Sequence, residues 1–176
     1  TFRGEFFRKH AIRYAEKLLC AVDYELWLRI AVKHPQAHFA NVDAVLGLYR
    51  THERQISATH AVDQELLALR AQTQAFTALG IPHSCELSTA HRFLYHYYPV
   101  PDRRVMEDIF AWGRMLKDAN DAVRLFDTEW FQWHLLGRLV NVAERPPHFA
   151  AISRKHLAEW GDLVEKASSA ARESGS

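Results

Sequence analysis

A mainly α fold is predicted, and three observations predict it. Beyond residue 59, apolar residues recur in alternating steps of four and three, the spacing of one helix face. Helix-stopping residues punctuate that region: Gly80 with Pro82, Pro99 with Pro101, and Pro146 with Pro147. β-like composition is confined to Phe39–Arg50, rich in Val, Leu and aromatics, so a sheet has at most residues 36–50 to draw on. With 48% hydrophobic and 12% aromatic residues the chain has ample material for a core, and disorder is not its default.

The elements follow in order. A first helix starts at Asp23, carries Val22, Leu26, Trp27, Ile30 and Ala31 as its stripe, and ends before Pro35. One or two short strands are expected over Phe39–Arg50, with Gly47 inside. The next helix repeats Val62, Leu66, Leu69, Thr73 and Phe76 and stops at Gly80. Another begins near Ser84, with Leu87, Ala90, Leu94 and Tyr98 on one face. Asp102 caps a fourth, with Val105, Ile109, Trp112 and Leu116 inward. Asp127 or Thr128 caps a fifth, with Phe131, Leu135, Leu139 and Val142 inward. A last helix starts near Phe149 and carries Ile152, His156, Leu157, Trp160 and Val164. The five amphipathic helices after residue 59, joined by short loops, make a small bundle. Of the close aromatics Trp130, Phe131 and Trp133, one must face away from that core, a place where a partner can sit.

Several function classes fall away on charge and motif. A net charge of +1 provides no basic excess to neutralise phosphates, so nucleic acid is not the expected partner. The two cysteines, Cys20 and Cys85, are far apart and read as reduced thiols in a cytoplasmic protein. No apolar run is long enough to span a bilayer, and no signal peptide opens the chain. There are eleven histidines but no His-Glu-x-x-His, and the seven glycines never form a phosphate-cradling cluster. A histidine-based hydrolase therefore lacks any ligand spacing. The small, polar residues 168–176 read as a flexible tail, and Thr1 in place of an initiating methionine reads as a piece of a longer protein.

Two segments carry chemistry: Ala21-Val-Asp-Tyr-Glu-Leu-Trp-Leu-Arg29 and Tyr49-Arg-Thr-His-Glu-Arg-Gln-Ile-Ser57. Together with Phe2-Arg3 they resemble the end of the catalytic domain of family-2 glycosyltransferases, inverting nucleotide-sugar enzymes of the GT-A α/β fold. That family shows an acidic pair, a Tyr-acid-Leu-Trp-Leu-Arg helix, and then Tyr-Arg-x-His-x-x-Gln-Ile-Ser. Leu79-Gly-Ile-Pro with Glu86-Leu87 and His91, and Trp112 with Leu116 and Ala119-Asn120, resemble the helical extension that follows the catalytic domain in many members. The match is less specific after Ser57.

The resemblance implies residue roles. Asp23 aligns with the catalytic base, the carboxylate that takes the acceptor hydroxyl's proton. A helix start suits that carboxylate, since the dipole there favours an anion; the competing role for Asp23 is a plain helix cap. Val22 stands where the family has the first acid of the pair. His52 aligns with a histidine near the metal and diphosphate, and Arg50 and Gln55 are placed to bind the diphosphate or the acceptor. Arg50 has a salt bridge to Glu53 or Asp23 as its other option. A divalent cation, Mg or Mn, is implied for the complete enzyme. No Asp-x-Asp occurs in this sequence, so none is expected to be held by this piece alone.

The organisation expected is a C-terminal catalytic segment (1–58), a helical extension (59–167) and the tail (168–176). The expected function is transfer of a sugar from a nucleotide-diphosphate sugar to a glycan or lipid-linked acceptor, as in bacterial cell-surface polysaccharide or lipopolysaccharide synthesis. It would act in the cytoplasm or peripherally at the inner membrane face, and this piece alone would be inactive. The alternative is a non-catalytic helical module for protein interaction, including homodimerisation.

Overall fold

The computed structural model describes residues 3–40, 42–48, 60–82, 85–96, 98–145 and 149–161. Seven α-helices run through these residues, which divide into two compact units at the Ala78–Leu79 junction. The mainly α expectation holds. The 168–176 tail lies outside the described residues.

The first unit holds α1 (Gly4–Lys9), α2 (Val22–Lys33) and α3 (Ala61–Ala78). α1 is closed by a Schellman turn, in which Ile12 N donates to Phe7 O at 2.9 Å and Ala11 N to Arg8 O at 3.2 Å. That turn needs a left-handed residue, and Ala11 supplies it at φ 51° where glycine is the usual choice. Aromatic edges tie α1 to α2: Phe7 meets Trp27 at 6.2 Å and Phe6 meets His34 at 5.5 Å between ring centroids.

α2 buries Leu26 and Ile30, successive turns of the expected stripe, while Trp27 stays 36% exposed at its edge. α3 packs along α2, with Gln72 Nε2 donating to the Tyr24 hydroxyl at 2.7 Å. Its buried residues are Ala71, Ala75 and Phe76, all in its C-terminal half. Val62 and Leu66, placed on the inward stripe by spacing, are exposed. The helix that the sequence places at the head of the C-terminal bundle thus packs on α2.

The strands expected over Phe39–Arg50 are not formed among the described residues of that stretch, 39–40 and 42–48, which make no backbone ladder. Val45 is 86% exposed and Leu48 97%. A strand of this composition is stable only when a neighbour accepts its backbone bonds and covers its apolar face, and no described residue does either.

The second unit holds α4 (Cys85–Tyr95), α5 (Arg103–Val123), α6 (Thr128–Glu144) and α7 (Ala150–Ala158). Gly80, at φ 72°, provides the left-handed turn that the sequence placed after α3. Asp102 and Asp127 cap α5 and α6 as expected, accepting from Val105 N at 2.9 Å and Trp130 N at 2.8 Å. α5 is the central helix, packing against α4, α6 and α7. Met106, Ile109, Phe110, Trp112 and Leu116 of α5 are buried against Leu94 of α4 and Leu135, Leu139 and Val142 of α6. Gly113 lets α6 approach closely, since a Cβ there would stand 3.0 Å from Leu139 Cδ1. Arg114 ties α5 to the C-terminal end of α7, donating to His156 Nδ1 at 3.2 Å and Glu159 Oε2 at 2.9 Å.

Three residues of the extension resemblance, His91, Trp112 and Asn120, lie inside this core and hold it together. Trp112 Nε1 donates to His91 Nδ1 at 3.1 Å. Asn120, fully buried, closes the α5–α6 loop: its amide donates to Phe126 O at 3.1 Å and its carbonyl accepts from Phe126 N at 2.9 Å. Among the close aromatics Phe131 is buried and Trp130 faces out, 60% exposed and stacked on His134 at 5.1 Å. No helix of the described residues is long and apolar enough to cross a membrane.

Candidate functional site

Asp23 sits in the first turn of α2. The N-cap position belongs to Ala21, which is left-handed at φ 56° and makes no side-chain cap bond, so Asp23 is not the cap. Its carboxylate is exposed and accepts one hydrogen bond, from Tyr24 N at 2.8 Å. It makes no ion pair among the described residues. The acid is therefore open to solvent at the start of a well-anchored helix, with Leu26 and Ile30 fixing α2 beneath it.

Arg50, His52 and Gln55 lie outside the described residues, so the juxtaposition of Asp23 with them has no described geometry. Among the described residues no group of three or more His, Cys, Asp or Glu side chains could hold a metal ion. The described donor set therefore does not by itself fit the divalent cation that the resemblance implies.

One turn further along α2, Glu25 and Arg29 form an ion pair that the sequence signals only by their spacing. Arg29 Nε donates to Glu25 Oε1 at 2.8 Å, with Glu25 only 9% exposed. Arg29 Nη2 also donates to the Arg13 carbonyl at 2.6 Å, pinning the loop between α1 and α2 onto α2. An acid N-terminal to a base at this spacing is the favourable order on a helix. Its burial turns a pair that would be marginal on a surface into a fixed strut.

Below Arg29 lies a pocket of about 210 Å³ lined by His10, Ala11, Ile12, Arg29, Ile30, Lys33 and His34. His10 follows the end of α1 and His34 the end of α2, and their rings stand 4.4 Å apart. Burial, the His34 ring and Lys9 together lower His10 below the ordinary imidazole range. Lys33 is exposed. The sequence holds half of this site in view, because Arg29 and Lys33 share a face of α2. His10 reaches it only through the turn at Ala11, a contact that no local spacing reveals.

Comparison with known proteins finds no family model, no curated protein and no solved structure that matches the chain.

Proposed function

We propose that this chain is the C-terminal part of an inverting, nucleotide-sugar-dependent glycosyltransferase, with Asp23 as its base. The observation that carries the reading is the state of Asp23: an exposed carboxylate in the first turn of an anchored helix, used neither as a cap nor in an ion pair among the described residues. The flanking Tyr24-Glu-Leu-Trp-Leu-Arg29 and the later Tyr49-Arg-Thr-His-Glu-Arg-Gln-Ile-Ser57 supply the family likeness.

In this reading Asp23 takes the proton of an acceptor hydroxyl as its oxygen attacks the anomeric carbon. A carbon–oxygen bond forms to the acceptor, the bond to the nucleoside diphosphate breaks, and the configuration inverts. The carboxylate must meet solvent and acceptor freely before transfer, and its exposure supports that requirement. Arg50 and Gln55 contact the diphosphate or the acceptor, and His52 stands near the metal of the complete enzyme; no step here is routed through that ion. The apolar, uncovered run at Val42, Val45, Leu46 and Leu48 is consistent with a segment whose neighbouring structure lies elsewhere in a longer chain.

The test is a donor screen on the full-length protein. Uridine, guanosine and thymidine diphosphate sugars are offered with glycan and lipid-linked acceptors, and release of the nucleoside diphosphate is followed. One donor should be consumed in an acceptor-dependent manner, and a protein that binds no nucleotide sugar is not this enzyme.

A second reading has its own observation. Trp130, 60% exposed and held flat against His134, presents a rigid aromatic face of the kind enriched in protein interfaces. A helical interaction or dimerisation module would lose its association when Trp130 is changed to Ala, measured by sedimentation across a concentration series.

A further inference from the structure

The pocket between the ends of α1 and α2 has a composition that the glycosyltransferase reading does not use. Its polar lining consists of His10, Arg29, Lys33 and His34, with no carboxylate among the lining residues. Glu25 is not among the lining residues and is engaged by Arg29. We propose that this pocket binds a small oxyanion, a phosphate or phosphomonoester group, and the proposal does not rest on the glycosyltransferase reading.

Size points the same way as charge. The pocket's volume is about 210 Å³, and it is partly open to solvent. A tetrahedral oxyanion fits that space. Arg29 is preset by Glu25 and by the Arg13 carbonyl, so little side-chain freedom is lost on binding. Lys33 contributes an exposed ammonium, a point-charge partner for phosphate.

The simpler account is that basic residues merely complement two helix C-termini. It explains Lys9 and Lys33, which stand in the last turns of α1 and α2. It does not explain why both histidine rings converge at 4.4 Å beside Arg29 and around a void. Burial, the His34 ring and Lys9 disfavour the protonated form of His10, and an oxyanion beside the ring pair offsets that. Phe6 contacts both rings, at 4.7 Å from His10 and 5.5 Å from His34, and adds no opposing charge. Oxyanion binding should therefore draw a proton onto His10 and strengthen as pH falls.

Isothermal titration of the full chain with inorganic phosphate and with methyl phosphate reads the site directly. Both should bind saturably, and Lys33→Ala and His34→Ala should each weaken binding about tenfold, the value of one charge-assisted bond. If phosphate binds and methyl phosphate does not, the ligand is the free ion; if both bind, it is a phosphoryl group on a larger molecule or the ion itself. Sulfate, whose charge is constant in this range, should bind more tightly at pH 6 than at pH 8. Melting curves confirm that each variant is folded, and Lys33→Gln repeats the test with less change in size. No saturable binding by the unaltered chain, or affinity unchanged in the Lys33 and His34 variants, overturns the proposal.

Discussion

Acid should unfold the second unit through His91. The side chain is 5% exposed, and Trp112, itself 1% exposed, donates its indole N–H to His91 Nδ1 at 3.1 Å. An imidazole that accepts at Nδ1 carries its proton on Nε2 and is neutral. Burial, helped by the nearby His96, lowers His91 from 6.5 to about 3. The folded state thus binds fewer protons than the unfolded chain between these limits. Stability from this group is complete above pH 6.5 and is lost as pH falls toward 3. The slope is about 1.4 kcal/mol per pH unit, so a fall of 1.5 units below 6.5 removes roughly 2 kcal/mol. That is a large share of the stability of an ordinary domain. The assay is urea unfolding followed by tryptophan fluorescence and by amide exchange in α4 and α5, at pH 7.5 and pH 5, for the unaltered chain and for His91→Gln. His91→Gln should be less stable at pH 7.5 but lose roughly 2 kcal/mol less on acidification. Nitrogen NMR of His91 should show the Nε2-protonated neutral form at both pH values. Equal pH slopes in the two proteins, or a His91 signal that titrates near 6.5, would refute the reasoning.

Two further outcomes follow from backbone and core geometry. Ala11→Gly should raise stability by about 1 kcal/mol, because φ 51° in the α1 Schellman turn strains any residue with a Cβ; a loss of stability in urea would show the turn to be unstrained. Asn120→Ala should cost roughly 2–4 kcal/mol, since it strands both the N–H and the C=O of Phe126 where the buried amide now meets them. Amide exchange at Phe126 should accelerate in that variant, and an unchanged rate would mean the loop is held by other contacts.

The second unit was largely legible from sequence because its signals are local. Asp102 and Asp127 stand at helix starts with their stripes following, and the inward residues Ile109, Trp112, Leu135, Leu139 and Val142 recur at helical spacing. The first unit was less so, because long-range packing decides it. Val62 and Leu66 continue the α3 stripe but are exposed, since α3 buries only its C-terminal half. Val45 and Leu48 have strand composition, yet composition cannot say whether a neighbouring strand exists to pair with them. At the candidate site, Asp23 was visible as an acid at a helix start, but its freedom from capping depends on the left-handed Ala21, which spacing does not encode. The His10–His34 contact joins residues far apart in sequence and was not visible at all.

The central proposal is that Asp23 is a catalytic base, and Asp23→Asn in the full-length protein tests it most directly. Asparagine keeps the Oδ1 that accepts from Tyr24 N, and Asp23 is no cap, so the melting temperature should hold within a few degrees. The amide cannot take a proton, so sugar transfer should fall by about two orders of magnitude or more, with donor affinity retained. Turnover within a few-fold of the unaltered enzyme, in a variant that is folded and binds donor, would contradict the account and place the base elsewhere.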